Sequence, residues 1–545
     1  MNITSFENIQ HALEADNPTL LGTQPVFHDV MDRYVVYHKQ IEKRMDGSSG
    51  GAYRALIETV VKEGYYFTGT AFDENLHLHH VVTNDPEEIA AVVGFKPVSS
   101  DCCAVFQKIK TLLSEGEKVL FCGTPLQCFA LQSFVVDTEK LITVDLINTP
   151  FVVQELLDKY AKELGEVNGA KVTDVRFYNK EFYDEGAKRI TLENGRVIFT
   201  RSSDSFDSLM RSGRFTKKSE AQDIFNSIQR RVADITLGAY RMDSSDDDGL
   251  GFAYLGINTT KGSELFSKAQ KRLVIVKSNA DIKDKSIKFQ SAKVSNSVDL
   301  SSLKSKSLKE LTEIPSKGIL RRIKKRVAPF YNGFRFARHN LRAYLQFIKL
   351  NFLTKGVKVD YEHNGFIYIS PHCAFKLVDG FQIELHGPLN IGPRRIKSSK
   401  QESRLRMEKG AKITVYEHCA FGAGSNVEIY KNALLEVGDL QSNAELNIIC
   451  GEHIILGTPV NIARNATVRD TSGHLIATPG YHMTKPITIG NHVWVCTEST
   501  VMPGVSIGDG AIVGACSFVT KKVKPFTMVQ GNPAVEVGTI KYFRI

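Results

Sequence analysis

The 545-residue sequence lacks any apolar run of the roughly 18 to 20 residues that a membrane-spanning helix requires. Its first residues, MNITSFENIQHALEADNP, contain neither the basic nor the apolar region of a secretory signal. The nine cysteines are odd in number and irregularly spaced, so they do not form a disulfide framework. These absences exclude a membrane-embedded protein and a disulfide-stabilised secreted one, and they predict a cytoplasmic protein.

Acidic residues are almost missing from one segment. Between Ser301 and Lys355 the sequence has 14 Lys or Arg against Glu310 and Glu313, whereas the net charge of the whole chain is only +9. One basic segment between near-neutral halves is typical of a linker with its own surface preference. No helix-turn-helix or zinc-finger pattern is present, so we expect no nucleic-acid partner.

The basic segment ends in an apolar pattern with helical spacing, which predicts one amphipathic helix. The pattern consists of Phe334, Ala337, Leu341, Tyr344, Leu345 and Ile348. In the favoured interpretation this helix packs against a neighbouring domain or subunit. In the alternative, residues 317–352 lie on the inner face of an anionic membrane as a peripheral contact.

The shifts in composition divide the chain into three parts. Residues 1–285 alternate strand-like runs, such as KVLFCGTP and KLITVDLIN, with helical ones, which predicts an α/β domain. Residues 286–355 form the basic, partly helical linker. Residues 356–545 form the third domain, in which a repeat is visible.

The clearest pattern in the third domain is a period of six. It places β-branched residues at Ile489, Val495, Val501, Ile507, Val513 and Val519, after an earlier run at Leu456, Ile462 and Val468. Such spacing predicts a parallel β-helix with three hexapeptides per coil and the aliphatic residues pointing inward. The next step after Val468 falls on His474, and 15 residues then pass before Ile489. A loop of about nine extra residues is therefore predicted to leave the solenoid just after His474.

The segment from Asp470 to Ala534 contains the stretches DTSGH, ITIGNHVWV, VMPGVSIGDGAIVGACSFVTKKV and GNPA, and it resembles the left-handed β-helix acyltransferases of polysaccharide biosynthesis. The resemblance implies a homotrimer that transfers an acetyl group from acetyl-CoA to a sugar, a nucleotide-sugar or a lipid-linked saccharide. It implies that His474 is the general base, because a neutral imidazole can take a proton from the acceptor. It also implies that Asp470 fixes the orientation of the imidazole.

The same resemblance implies that acetyl-CoA lies along the turns of the solenoid and the end of the chain. The implied contacts are Trp494, Gly514, Ala515, Ser517, Lys521, Lys522, Gly531, Asn532, Pro533 and Ala534. Cys496 and Cys516 stand where the family usually has glycine, and they add bulk close to the expected pantetheine path. No metal site is predicted, because no compact set of metal-ligand side chains is present.

The N-terminal half carries a second resemblance. Stretches from SSGGAYRALIETVV through GEKVLFCGTPLQCFALQSF to LGINTTKGSELF resemble the beta subunit of coenzyme F(420) hydrogenase and dehydrogenase, whose members transfer electrons between a flavin and iron–sulfur clusters. Leu126 and Asn148 replace cluster cysteines of that family, so we expect no iron–sulfur cluster. The family's flavin or phosphate contacts at Ser48–Gly51, Lys96 and Thr124 survive, whereas Ala239 replaces an acid. Flavin binding therefore stays open as the less favoured alternative.

Together these patterns predict an acetyl-CoA-dependent O-acetyltransferase that acts on a sugar in the biosynthesis of a surface polysaccharide, such as a capsule, an exopolysaccharide or an O-antigen. The sequence does not distinguish a hydroxyl from an amine acceptor. Two alternatives remain. One is a flavin-dependent sugar oxidoreductase in which the β-helix serves oligomerisation, and the other is a non-catalytic assembly protein.

Overall fold

The computed structural model describes most of the chain. The described residues are 4–135, 138–147, 151–180, 187–200, 204–216, 224–225, 227–243, 246–287, 300–312, 319–361, 363–393, 399–474, 480–540 and 543, without the side chains of 309 and 319–326. The chain divides into two compact units. The first covers residues 1–195, 200–314 and 544, and the second covers residues 196–199, 315–543 and 545.

The elements of the N-terminal half alternate between strands and helices. The strands are β1 (His28–Asp29), β2 (Asp32–His38), β3 (Tyr66–Phe72), β4 (Leu78–Thr83), β5 (Val119–Gly123), β6 (Leu141–Leu146), β7 (Val172–Arg176), β8 (Lys188–Leu192), β9 (Val197–Thr200), β10 (Arg230–Arg231), β11 (Ile235–Tyr240), β12 (Phe252–Ile257) and β13 (Leu273–Ser278). The helices are α1 (Phe6–Ala15), α2 (Ile41–Asp46), α3 (Ala52–Val60), α4 (Ile89–Val92), α5 (Cys103–Ser114), α6 (Pro125–Phe134), α7 (Gln154–Asn168), α8 (Ser205–Ser212), α9 (Thr260–Ala269), α10 (Leu300–Ser305) and α11 (Leu308–Thr312). Short 3-10 helices cover Pro18–Leu21, Val61–Glu63, Pro86–Glu88, Gln270–Arg272, Asn279–Asp281 and Asp284–Ser286.

A mixed sheet forms the centre of this unit. Among the described residues its order is β13-β2-β12-β11-β6-β5-β3-β4. The four strands β11, β6, β5 and β3 are parallel neighbours, and the outer pairs are antiparallel. All five residues of β5 are buried, as expected for a parallel strand that is covered on both faces. The unit therefore has the α/β architecture that the sequence predicts.

The second unit is a parallel β-helix. Its strands are β14 (Val357–Lys358), β15 (Ile367–Ile369), β16 (Cys373–Leu377), β17 (Gln382–Leu385), β18 (Leu389–Ile391), β19 (Ser403–Met407), β20 (Lys412–Phe421), β21 (Asn426–Ile429), β22 (Leu434–Ser442), β23 (Asn447–Cys450), β24 (His453–Leu456), β25 (Val460–Ile462), β26 (Thr467–Arg469), β27 (Ile487–Ile489), β28 (Val493–Val495), β29 (Thr500–Val501), β30 (Ser506–Ile507), β31 (Ile512–Val513), β32 (Phe518–Val519), β33 (Thr527–Gln530) and β34 (Val535–Thr539). Parallel pairing continues from coil to coil along three faces, which begin with the pairs β14–β17, β15–β18 and β16–β19.

The six-residue period corresponds to the inward positions of these coils. The side chains at every sixth position from Ile489 to Val519 are all buried in the core. The register aligns Val468 with Val501 and Val501 with Val519, so equivalent residues stack one coil apart. The predicted parallel β-helix is therefore present.

The linker differs from its prediction, because two helices stand where the spacing predicts one. Helix α12 covers Ile319–Phe336 and helix α13 covers Leu341–Ile348. Arg338 and His339 between them have positive φ angles of 51° and 60°, which a continuous helix does not allow. The side chain of Asn340 then accepts a hydrogen bond from the Ala343 amide at 3.0 Å and begins the second helix.

This break also splits the predicted apolar stripe. Ala337 is buried, whereas Phe334, Leu341 and Leu345 are exposed. Phe347, which lies outside the predicted stripe, is fully buried. In the described ranges, no helix combines the length and the apolar character that crossing a bilayer requires.

Candidate active site

The loop that contains His474 leaves the solenoid between β26 and β27 on a short antiparallel stem. Thr471 and Thr484 face each other across this stem in an isolated bridge. The Ser472 amide donates to the Met483 carbonyl at 2.9 Å, and the Lys485 amide donates to the Asp470 carbonyl at 2.8 Å. These backbone contacts therefore hold the two ends of the extra loop together where the six-residue period is interrupted.

His474 lies at the outer end of this stem, where its side chain is exposed. Its backbone carbonyl accepts a hydrogen bond from the Tyr481 hydroxyl at 2.8 Å and another from the Ser472 hydroxyl at 3.2 Å. The Tyr481 and Ser472 hydroxyls also contact each other. Two side chains from opposite strands of the stem therefore hold the backbone of His474, while its imidazole faces solvent. Residues 475–479, which follow His474, lie outside the described residues.

Asp470 lies at the base of the stem and is fully buried. Its carboxylate accepts hydrogen bonds from the backbone amides of Gly451, of Glu452 at 2.9 Å and of His453 at 2.8 Å. Burial raises the pKa of Asp470 above its ordinary value, and these three amides oppose that shift. Asp470 thus ties the stem to the preceding coil. Its expected role in orienting the His474 imidazole stays a prediction.

Polar side chains of the preceding coil extend this site beyond the predicted residues. The Thr484 hydroxyl donates to the Glu452 carboxylate at 2.7 Å. His453 Nε2 lies 2.8 Å from the Glu436 carboxylate. The sequence does not indicate these groups or Tyr481, because they belong to no motif. For Tyr481 the one available signal is its place in the extra loop, seven residues after His474.

The predicted acetyl-CoA contacts lie on the last coils. Trp494 is on β28, and its side chain points outward and is 40% exposed. The turn between β31 and β32 contains Gly514, whose amide donates to the Val529 carbonyl at 2.8 Å. Ala515 and Cys516 are exposed in the same turn. The Cys516 thiol lies 3.6 Å from the Glu498 carboxylate, and this contact raises the pKa of the thiol.

Two of the predicted contact segments are neighbours in space. The Gly531 amide donates to the buried Ser517 hydroxyl at 3.3 Å. Phe518 then holds both ends of the terminal segment, because its amide donates to the Gly531 carbonyl and its carbonyl accepts from the Ala534 amide, each at 2.9 Å. The remaining predicted contacts are exposed, and they are Lys521, Lys522, Asn532 and Pro533. The structure therefore groups the turn at 514–518 with the segment 531–534, whereas His474 lies on an earlier coil.

The flavin-related positions of the N-terminal unit make contacts within the protein. The ammonium of Lys96 donates to the carbonyls of Thr70 at 2.8 Å, Ala91 at 3.2 Å and Gly94 at 3.3 Å, and burial lowers the pKa of Lys96 to about 8. The Thr124 side chain caps α6 in a reciprocal pair of hydrogen bonds with Gln127. These side chains make structural contacts within the protein, and flavin binding stays the less favoured alternative.

The Ser48–Gly51 turn and Ala239 also make contacts with other residues of the protein. The Ser48 hydroxyl accepts from the Phe95 amide at 3.2 Å. A Cβ at Gly50 would lie 2.3 Å from the Val36 carbonyl, so only glycine allows the turn to approach the sheet this closely. Ala239 pairs with Ala253 in the β11–β12 ladder.

The cysteines of this unit do not offer the donor set of an iron–sulfur cluster. Cys122 and Cys128 are buried, and burial raises the pKa of Cys122 to about 12. Leu126 occupies the first turn of α6, and Asn148 lies outside the described residues. In the part of the chain that the structure describes, no group of three or more His, Cys, Asp or Glu is placed to hold a metal ion.

Two family models match separate parts of the sequence. Residues 486–521 match the bacterial transferase hexapeptide (six repeats), and residues 116–283 match the C terminus of the coenzyme F(420) hydrogenase/dehydrogenase beta subunit. The chain therefore contains one segment similar to each of two families. Both resemblances that the sequence analysis states are thus confirmed.

The curated relatives are acetyltransferases that match short parts of this chain. Galactoside O-acetyltransferase of Escherichia coli K12 is 35% identical over 116 residues, which are 21% of this chain and 54% of that protein. Chloramphenicol acetyltransferase of Agrobacterium fabrum is 47% identical over 58 residues, which are 11% of this chain and 28% of that protein. The chain thus spans about half of the first relative and about a quarter of the second.

Two solved structures are each similar over part of this chain. The F(420)-reducing NiFe hydrogenase complex from Methanosarcina barkeri has a chain that is 18% identical, with a TM-score of 0.34, and the match covers 54% of this chain and 94% of that one. A hexapeptide-repeat acetyltransferase from Vibrio cholerae in complex with acetyl coenzyme A is 17% identical, with a TM-score of 0.18, and the match covers 39% of this chain and 88% of that one. Both TM-scores are below 0.5, which is too low to establish a shared fold.

Proposed function

We propose that the protein is an acyltransferase that moves an acetyl group from acetyl-CoA to a sugar hydroxyl, with His474 as the general base. The observation that carries this proposal is the extruded stem. It presents an exposed histidine with a fixed backbone one coil before the segment that matches the hexapeptide family. The similarity to an O-acetyltransferase that acts on a galactoside supports a sugar acceptor.

The reaction needs one base and a means of holding two substrates together. The His474 imidazole takes the proton of the acceptor hydroxyl as the oxygen attacks the thioester carbonyl carbon. The carbon–sulfur bond then breaks, and the proton passes from the imidazolium to the leaving CoA thiolate. A neutral imidazole has one ring nitrogen that can accept this proton, so His474 begins the cycle as a base. Holding acceptor and donor side by side removes much of the entropic barrier.

The proposed donor site is formed by the grouped segments 514–518 and 531–534 together with Trp494. Lys521 and Lys522 are exposed two and three residues after the end of β32, where their ammonium groups can reach the CoA phosphates. Cys496 and Cys516 narrow the pantetheine path in this arrangement. Peptide amides at the turns of the solenoid supply hydrogen bonds for the tetrahedral oxyanion.

The proposal includes the wider setting of the reaction. The protein is a cytoplasmic homotrimer of left-handed β-helices, and its acceptor is a sugar, a nucleotide-sugar or a lipid-linked saccharide used for a surface polysaccharide. The α/β domain of residues 1–285 and the linker of residues 286–355 precede the catalytic domain of residues 356–545. Neither a flavin nor an iron–sulfur cluster takes part in acetyl transfer.

Titration calorimetry with acetyl-CoA, combined with an assay for released CoA thiol, tests this function directly. We expect the purified full-length chain to bind acetyl-CoA and to release thiol only when a sugar acceptor is present. Galactosides are the first acceptors to try, because an O-acetyltransferase of galactosides is among the relatives. A chain that neither binds acetyl-CoA nor releases thiol with any sugar would rule the proposal out.

Replacing Lys521 and Lys522 by glutamine is expected to raise the KM for acetyl-CoA by roughly tenfold while leaving kcat nearly unchanged, because exposed ammonium groups contribute ground-state attraction to the phosphates. Steady-state kinetics at low and high salt would measure the effect, which should shrink as salt increases. Lys524→Gln is the matched control, since Lys524 pairs with Glu536 at 3.2 Å. An equal rise in KM for Lys524→Gln would contradict the assignment.

Tyr481→Phe is expected to lower kcat by about tenfold with little change in the KM for acetyl-CoA, because it removes the shorter of the two hydroxyl contacts to the His474 carbonyl. Steady-state kinetics would measure this split. Tyr361→Phe serves as the control, since Tyr361 is exposed on an early coil. If kcat stays at the parent value, the Tyr481 hydroxyl does not position the base.

A further inference from the structure

Helices α12 and α13 cover the first coil of the β-helix with an aromatic inner face. The ring of Phe347 is buried and lies 5.7 Å from the ring of Tyr368 in a stacked arrangement. The rings of Phe330 and Phe352 stack at 5.0 Å. The inner side of both helices therefore already packs apolar side chains against the β-helix, as an amphipathic helix does.

The same helices also carry large apolar side chains that are exposed to solvent. We call this set the outer apolar face, and it consists of Val327, Tyr331, Phe334, Leu341 and Leu345. Their exposed fractions lie between 38% and 67%. The first three recur at intervals of four and three residues along α12, and the last two are four apart on α13, so each set occupies one side of its helix. Exposed apolar side chains that are grouped on a surface mark interaction sites.

The charge around the outer apolar face has one sign. Residues 319–358 contain eleven Lys or Arg and no Asp or Glu. Among the described side chains, Arg335, Arg342 and Lys349 are exposed on the same two helices and the residue that follows them. The guanidinium of Arg335 lies over the ring of Tyr331 at 5.7 Å. Cationic and apolar groups are therefore interleaved on this surface.

We propose that the outer apolar face of α12 and α13 binds the surface of a membrane that contains anionic lipid. Apolar side chains enter the boundary between headgroups and acyl chains, while the surrounding cations pair with lipid phosphates. A two-fold contact between copies through this same face fits less well, because each copy would bring the same positive charge against the other. This proposal does not depend on the acetyltransferase reaction.

Co-sedimentation of the full-length chain with vesicles tests the proposal. One set of vesicles consists of phosphatidylcholine, and the other contains phosphatidylcholine and phosphatidylglycerol. We expect the protein to sediment with the anionic vesicles and to remain in solution with the neutral ones, and we expect high salt to release it. The same supernatants can be assayed for thiol release, which keeps membrane binding separate from catalysis.

Two variants test the two components of the surface. The double variant Leu341→Asn and Leu345→Asn should lower the vesicle partition coefficient at least tenfold. The triple variant Arg335→Gln, Arg342→Gln and Lys349→Gln should lower it roughly 100-fold, since each cation near an anionic surface contributes about fivefold. Val167→Asn removes an exposed apolar side chain on α7 and should leave partitioning unchanged.

The proposal is overturned if the protein does not sediment with anionic vesicles, or if both variants sediment as the parent does. It is also overturned if the leucine variant changes the oligomeric state in analytical ultracentrifugation while vesicle binding persists, because the face would then join copies of this chain. The triple charge variant keeps the test valid if the leucine variant fails to fold, since its side chains are exposed.

Discussion

Replacement of His474 by alanine is expected to lower the rate of acetyl transfer by about 100- to 10,000-fold, the range for the loss of a general base. The affinity for acetyl-CoA should stay at the parent value, because the proposed donor contacts lie on later coils. The melting temperature should also be unchanged, since the His474 side chain is exposed and its structural contacts go through the backbone carbonyl. Thiol-release kinetics, calorimetry and thermal unfolding measure the three quantities.

His482→Ala is the matched control for this variant. His482 is an exposed histidine of the same extra loop, and it should be replaceable with little loss of rate. If His482→Ala removes the activity and His474→Ala retains it, the base has been assigned to the wrong histidine. If both variants keep the parent rate, the reaction does not use a base from this loop.

Asp470→Asn is expected to lower the free energy of unfolding by about 3 kcal/mol, although the two side chains have nearly the same shape. The Asp470 carboxylate accepts from three backbone amides, and the amide nitrogen of asparagine would place a donor against donors. Chemical denaturation at neutral pH measures the difference. Asp379→Asn, at an exposed turn of an early coil, should change stability by less than about 0.5 kcal/mol.

The pH dependence of this effect has a definite sign. Burial raises the folded-state pKa of Asp470, so the folded protein binds this proton more tightly than the unfolded chain does. The stability that protonation adds is fully present below the unfolded pKa, about 4, and it is lost as the pH rises through the folded pKa. Relative to Asp470→Asn, the parent should therefore gain stability as the pH falls from neutral towards 4.

Activity of Asp470→Asn separates two roles of this residue. A structural role at the base of the stem predicts that stability and activity fall together, and that lowering the temperature restores part of the activity. A direct role in orienting the His474 imidazole predicts a loss of kcat with parent-like stability. The second result would show that the carboxylate acts on the imidazole in the reacting protein.

Part of the site could be predicted from the sequence because the β-helix repeats one backbone path. An interruption of the six-residue period marks the place where the chain leaves the coil, and His474 stands at that place. The partners of Asp470 could not be predicted in this way. Its amide donors lie 17 to 19 residues earlier in the chain, and only the register between adjacent coils brings them next to the carboxylate.

In the linker, the prediction from the sequence was wrong. Helical spacing predicts one continuous helix, because a pattern of apolar residues carries no information about the backbone angles of individual residues. The two positive φ angles at Arg338 and His339 turn the chain, after which the side chains that face inward on α13 differ from the predicted stripe. Packing of aromatic rings on the first coil selects Ala343 and Phe347 for the inside and leaves Leu341 and Leu345 outside.

The order of residues was enough to establish the parallel β-helix, the α/β character of the N-terminal unit and the two family resemblances. Spacing and local motifs are sufficient for these features, because each repeats or specifies a short backbone path. Only the tertiary structure revealed the hydrogen bonds from Tyr481 and Ser472 to the His474 carbonyl, the buried contacts of Asp470 and the outer apolar face. These features depend on contacts between residues that the chain brings together only after it folds.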